Sequence, residues 1–143
     1  MKPPADLNGR TLCADTNFMV PMLPPSANHY VKHTRSGRHY VTTEVKAFMQ
    51  AVAICSKREA VRYENYFIEI YLNLGPKERM DVDNCAKMIL DSLSKAGIIH
   101  SDAAVTDLAL HKRRAPESNT YISIWQPAHD VVKQGRKRAP DGR

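Results

Sequence analysis

The stretch RMDVDNCAKMILDSLSKAGIIHSDAAV, residues 79–105, carries the helix-and-turn signal on which the fold reading rests. Its apolar residues Cys85, Ile89, Leu93 and Ala96 recur at spacings of three and four, the period of a helix with one buried face. The helix is predicted to run from Asp83 to Lys95. It ends at Gly97, the residue type that best tolerates the left-handed conformation just past a helix C-terminus. Residues 97–102 then turn the chain back into an apolar strand that begins near Val105.

Working outward, residues 66–74 (YFIEIYLNL) alternate and are rich in aromatic and β-branched residues, which predicts a strand. Gly75-Pro76 breaks it. Upstream, Thr42 or Thr43 can cap a helix running to about Ala60, with Val45, Phe48, Met49, Val52 and Ile54 as its apolar stripe. Residues 16–22 read as a short strand in which Pro21 favours an edge or an end. Further strands are expected near 104–112 and at 119–125. Residues 31–41 (VKHTRSGRHYV) form a basic loop or hairpin around Ser36-Gly37. The order β-α-β-α-β-β predicts an α/β (α+β) fold, a single small domain in which one mixed sheet carries both helices. Residues 1–14 are expected to be a loose leader, 15–126 the domain, and 127–143 a basic, disordered tail.

The same central stretch holds a set of polar residues. In extended chain, residues two apart point the same way, so Asp81 and Asp83 would project together at the strand end, with Val82 toward the core. Asn84, Lys87 and Asp91 continue along one helical face. The following turn could return Asp102 to the first pair. Clustered carboxylates repel one another and so favour a divalent cation. Magnesium prefers such oxygens, and a neighbouring ammonium can stabilise charge on a phosphate. The set therefore suits phosphodiester hydrolysis. The spacing also fits a plainer reading. Asp83 and Asp91 each lie four residues from Lys87 and could form exposed helical ion pairs, and Asp83 or Asn84 could be an N-cap. Spacing alone leaves both readings open.

In this segment the chain resembles the RusA-type Holliday junction resolvases. The match covers most of residues 18–126 and is densest over 79–105. The pattern is an Asp-x-Asp-Asn-x-x-Lys run, then Asp-x-Leu, then an acidic turn before a strand. Here it is met by Asp81, Asp83, Asn84, Lys87, Asp91, Leu93 and Asp102. The early loop Leu23-Pro24-Pro25-Ser26-Ala27-Asn28 also looks like the family's. The resemblance implies a homodimer that binds four-way junctions and branched DNA and nicks two opposed strands, in recombination and repair. It implies Mg²⁺ dependence, with Mn²⁺ as the substitute ion. It makes Asp81, Asp83 and Asp102 the metal ligands and Lys87 the catalytic lysine, with Asn84 and Asp91 in support. Family members often carry two adjacent acids in the last turn, and the first is Ser101 here.

Charge and composition agree with a nucleic-acid partner. Lys and Arg total 21 against 15 Asp and Glu, a formal charge of +6, and a basic balance suits a polyanion. Asn28, Lys32, Arg35, Arg38, Lys77 and Arg79 are the candidate DNA-contacting residues, and Lys112-Arg113-Arg114 could widen the track. No apolar run approaches the roughly 18 residues needed to span a bilayer, and the N-terminus does not look like a signal peptide, so a cytoplasmic location is expected. The three cysteines, Cys13, Cys55 and Cys85, show no zinc spacing and read as reduced thiols. The histidines also lack ligand spacing; His100, beside the acidic turn, could contact the site but is read first as a loop residue. The competing class is a non-catalytic protein that only holds branched DNA. A protein whose charges serve ion pairing alone is the third.

Overall fold

Alternation in β4 and β6 builds the sheet that carries everything else. The computed structural model describes residues 14–25, 31–33 and 39–127, and of 14–15, 31–33, 39–41, 83 and 84 the backbone alone. The elements run β1 (Ala14–Val20), β2 (Val31–His33), β3 (His39–Val41), α1 (Thr43–Cys55), β4 (Tyr66–Leu74), α2 (Ala86–Lys95), β5 (Val105–Arg114) and β6 (Asn119–Trp125). Four strands form a mixed sheet in the order β1-β6-β4-β5. β4 and β5 are parallel and joined through α2, while β6 is antiparallel to both β4 and β1. β2 and β3 pair as a separate antiparallel hairpin. The expected leader and tail lie outside the described residues, apart from Ala14 and Pro127.

Both helices pack on one face of this sheet. Tyr66, Ile68, Ile70, Leu72 and Leu74 of β4 meet Phe18 and Val20 of β1 and Ile122 and Ile124 of β6. Val45, Phe48 and Val52 of α1 and Cys85, Met88, Ile89 and Leu93 beside and along α2 close over them. Each buried Leu or Ile in such a layer typically costs about 2–5 kcal/mol when cut to Ala. The expected strand bounds 66–74 and 119–125 are met. β1 starts at Ala14 and stops at Val20, because Pro21 has no N–H to offer the ladder.

Two helix expectations are corrected. α1 ends at Cys55, five residues early, where Lys57 and Arg58 take φ of 58° and 52°. Its start is as expected, with Thr42 accepting from the Val45 N–H at 3.4 Å. Ile54 is 66% exposed rather than part of the apolar stripe, since two residues past Val52 is a rotation of about 200° on a helix. The second helix does not begin at Asp83. Val82–Cys85 form a 3-10 turn, and α2 starts only at Ala86.

The end of α2 follows the glycine signal. Gly97 has φ 79°. Its N–H donates to Ser94 O at 3.0 Å and that of Ile98 to Leu93 O at 3.0 Å, the paired bonds of a Schellman cap. Ile98 and Leu93 are both buried, so the cap is sealed by an apolar contact.

Candidate active site

The segment that delivers Asp81 is held by the end of β5. Parallel pairing sets Arg114 opposite Leu74 and Lys112 opposite Leu72. From there Arg114 Nη1 donates to Gly75 O, and also to Glu78 O at 2.9 Å. Lys112 Nζ donates to Met80 O at 2.9 Å. Each cation thus satisfies main-chain oxygens of a loop that has no ladder partners of its own. Arg113 lies over the Tyr71 ring, 5.4 Å from its centroid. Lys112 and Arg114 therefore brace the loop, a role that reading them only as a DNA track does not contain.

Asp81 is exposed and extended, at φ −80° and ψ 133°, and the 3-10 turn follows it. The extended-chain argument for pairing Asp81 with Asp83 fails here, because Asp83 sits inside that turn rather than in a strand. Val82 is half-buried against the core and Cys85 is fully buried, with its Sγ donating to Val82 O at 3.5 Å. These two apolar residues, three apart, are the buried edge of a 3-10 turn. Asn84 falls before α2, so only Lys87 and Asp91 of the expected polar stripe share that helix. Lys87 Nζ lies 3.5 Å from Asp91 Oδ2, with the lysine side chain 70% exposed and the carboxylate 17%. The i,i+4 ion pair that spacing allowed for Lys87 and Asp91 is thus formed.

Asp102 opens a second 3-10 turn, Asp102–Ala104, at the entrance to β5, and it too is exposed. Ser101 caps this turn, its Oγ accepting from the Ala103 N–H at 3.1 Å. The signal for it was in the sequence, a Ser one residue before a short helical turn. The turn at Val82–Cys85 packs on β5 as well as on α2, and the turn at Asp102–Ala104 packs on α2. Both acid-bearing turns thus rest on one helix–strand unit.

These residues fit a hard divalent cation by donor chemistry. Among the residues with described side chains, which do not include Asp83, no three His, Cys, Asp or Glu gather closely enough to form a metal cage. Magnesium does not require such a cage. It keeps several waters and commonly takes only one or two carboxylates together with substrate phosphate oxygens. Exposed Asp81 and Asp102 are carboxylates of that kind.

Of the candidate DNA contacts, Lys77 and Arg79 are exposed on the braced loop. Asn28, Arg35 and Arg38 lie outside the described residues, and Lys32 lies in β2, where only the backbone is described. Among the described residues no helix is long and apolar enough to cross a membrane.

A family model described as "Endodeoxyribonuclease RusA" matches residues 21–125. The chain is similar to the crossover junction endodeoxyribonuclease RusA of Escherichia coli strain K12, with 35% identity over 92 residues, 62% of this chain and 76% of the relative. The protein of the same description from Enterobacteria phage 82 is 34% identical over the same shares, and that of Shigella sonnei strain Ss046 is 33% identical.

Proposed function

Because this chain belongs to the RusA endodeoxyribonuclease family, we propose that it is a Mg²⁺-dependent, structure-selective endodeoxyribonuclease acting on four-way junctions and other branched DNA. It works as a cytoplasmic homodimer in recombination and repair and nicks two opposed strands, since a two-fold dimer offers two equivalent sites to two symmetry-related strands. The observation that carries the reading is the placement of both acid-bearing turns on the α2–β5 unit. Asp81, Asp83 and Asp102 are the metal ligands, with Mn²⁺ able to replace Mg²⁺, and Asn84 and Asp91 support them.

Mg²⁺, when bound, supplies the positive charge that neutralises the scissile phosphate. Asp81 and Asp102 hold that charge at the protein surface, where a DNA strand can reach it. Lys87 has three donors and no acceptor, so its ammonium is suited to the phosphate oxygens as negative charge builds there. Asp91 positions that ammonium on the outer face of α2. Asn28, Lys32, Arg35, Arg38, Lys77 and Arg79 hold the backbone of the arms, a salt-dependent interaction that positions the substrate.

Purified protein incubated with end-labelled four-way junctions and Mg²⁺ tests this reading. The expected result is nicked duplex products, abolished by chelation. Junctions that stay intact while the folded protein binds them would favour a non-catalytic branched-DNA-binding protein instead.

A further inference from the structure

Where the link between α1 and β4 meets the end of α2, the surface is indented by an open pocket of about 480 Å³, within the roughly 300–1,000 Å³ usual for ligand sites. Tyr66 is among its lining residues and is itself fully buried; its hydroxyl donates to Val61 O at 2.6 Å and accepts from the His100 N–H at 3.3 Å. Val61 and Ile98, also in the lining, are joined by the Val61 N–H donating to Ile98 O at 2.7 Å. Tyr63 and His100 also line it, with ring centroids 6.0 Å and 5.4 Å from that of Tyr66. Arg62 also lines the pocket, with its side chain exposed. None of these residues is used in the reaction described above.

The pocket stands beside the second acid-bearing turn. His100 precedes Asp102 by two residues, so their Cα atoms are within about 7 Å, roughly the rise of two base steps. Two aromatic rings and one guanidinium match a flat base with a phosphate attached: aromatic faces stack on any base, and Arg binds phosphate. The Val61–Ile98 main-chain bond and the two bonds of the Tyr66 hydroxyl tie these lining segments together. A nucleotide inside a duplex must leave its stack to enter such a pocket, whereas one at a branch point is already unpaired.

We propose that this pocket receives an unpaired nucleotide next to the scissile phosphate, its base against Tyr63 and His100 and its phosphate on Arg62, and thereby contributes selectivity for branched over duplex DNA. The proposal rests on the nuclease reading above.

The test is metal-free binding of the full chain to a four-way junction carrying 2-aminopurine in turn at each position around the crossover, with a duplex of matching arm sequence as reference. His100→Ala and Tyr63→Leu are compared with the wild type, each checked by thermal melt. Both variants are expected to lose roughly 5- to 30-fold in junction affinity while duplex affinity stays within about twofold, since the basic surfaces are untouched. One 2-aminopurine position should be quenched by the wild type and not by the variants. If Tyr63→Leu fails to fold, His100→Ala carries the test, because that side chain is exposed. Unchanged junction affinity in the folded variants, or an equal loss on junction and duplex, overturns the proposal. Binding is read without metal, so a wild type that binds junctions but never cuts them overturns the nuclease reading and leaves the pocket result standing. A wild type that cuts, beside variants that bind as it does, overturns the pocket alone.

Discussion

Lys112 Nζ donates to the main-chain oxygen of Met80 at 2.9 Å, so strand β5 grips the residue immediately before Asp81. Lys112→Met keeps most of the side-chain length and removes the donor. It is expected to lower single-turnover cleavage roughly 10- to 100-fold, the scale on which a small misplacement of a reacting group acts. Stability should change by less than about 1 kcal/mol, because the bond is exposed. A thermal melt beside the cleavage assay separates the two effects.

Asp81 and Asp102 are exposed, so replacing either with Asn should not disturb folding. Asp81→Asn and Asp102→Asn are each expected to reduce cleavage by more than the roughly 10–100-fold cost of losing even an outer-shell metal partner. Metal-free junction binding should be retained, since a negative charge facing phosphate has been removed. Gel-shift and cleavage assays on the same preparations check both halves. Loss of binding together with unfolding would give these residues a structural role instead.

What was legible in the sequence follows from how local each signal is. β4 and β6 have the expected bounds, because alternation is written residue by residue. Gly97 announced the helix end because the cap needs a positive φ. The sequence pattern sets the start of α2 too early, because Val82, Cys85 and Ile89 satisfy both a helical period and a 3-10 turn leading into a helix. The pattern extends α1 past its true end because Lys57 and Arg58, not glycines, take the left-handed turn. Ser56 supports that turn, its Oγ accepting from the Arg58 N–H at 3.2 Å. The bracing by Lys112 and Arg114 was not legible. A basic side chain looks the same whether it meets phosphate or carbonyl, and only the parallel pairing of β4 with β5 brings those carbonyls within reach. The order of acids and lysine is legible through the family pattern, while the extended chain expected at Asp83 gives way to a 3-10 turn.

Lys87 and Asp91 separate stability from activity. Their ion pair, at 3.5 Å with the lysine 70% exposed, is of a kind worth about 0.3–0.5 kcal/mol. Lys87→Met should therefore leave the melting temperature within a degree or two while reducing cleavage roughly 100-fold, as removal of a charge-stabilising donor does. Asp91→Asn keeps the ammonium and should cost activity far less than Lys87→Met. Equal losses in the two variants would mean that the pair acts as a unit.

Gly97 has φ 79° and open space where a Cβ would stand. Gly97→Ala meets no steric obstacle, and its cost is the left-handed backbone alone, about 1–2 kcal/mol. A melting temperature several degrees lower is expected by calorimetry. An unchanged value would show that the α2 terminus tolerates a different cap.

In the proposed function the two acid-bearing turns form one metal site. A crystal of the full chain soaked in Mn²⁺ and measured for anomalous scattering tests it most directly. The expected result is an anomalous peak bound by Asp81 and Asp102, with Asp83 as the remaining carboxylate and Lys87 alongside. A peak that leaves Asp81 and Asp102 apart, or an ordered site with both side chains turned away and no peak at saturating Mn²⁺, would contradict it.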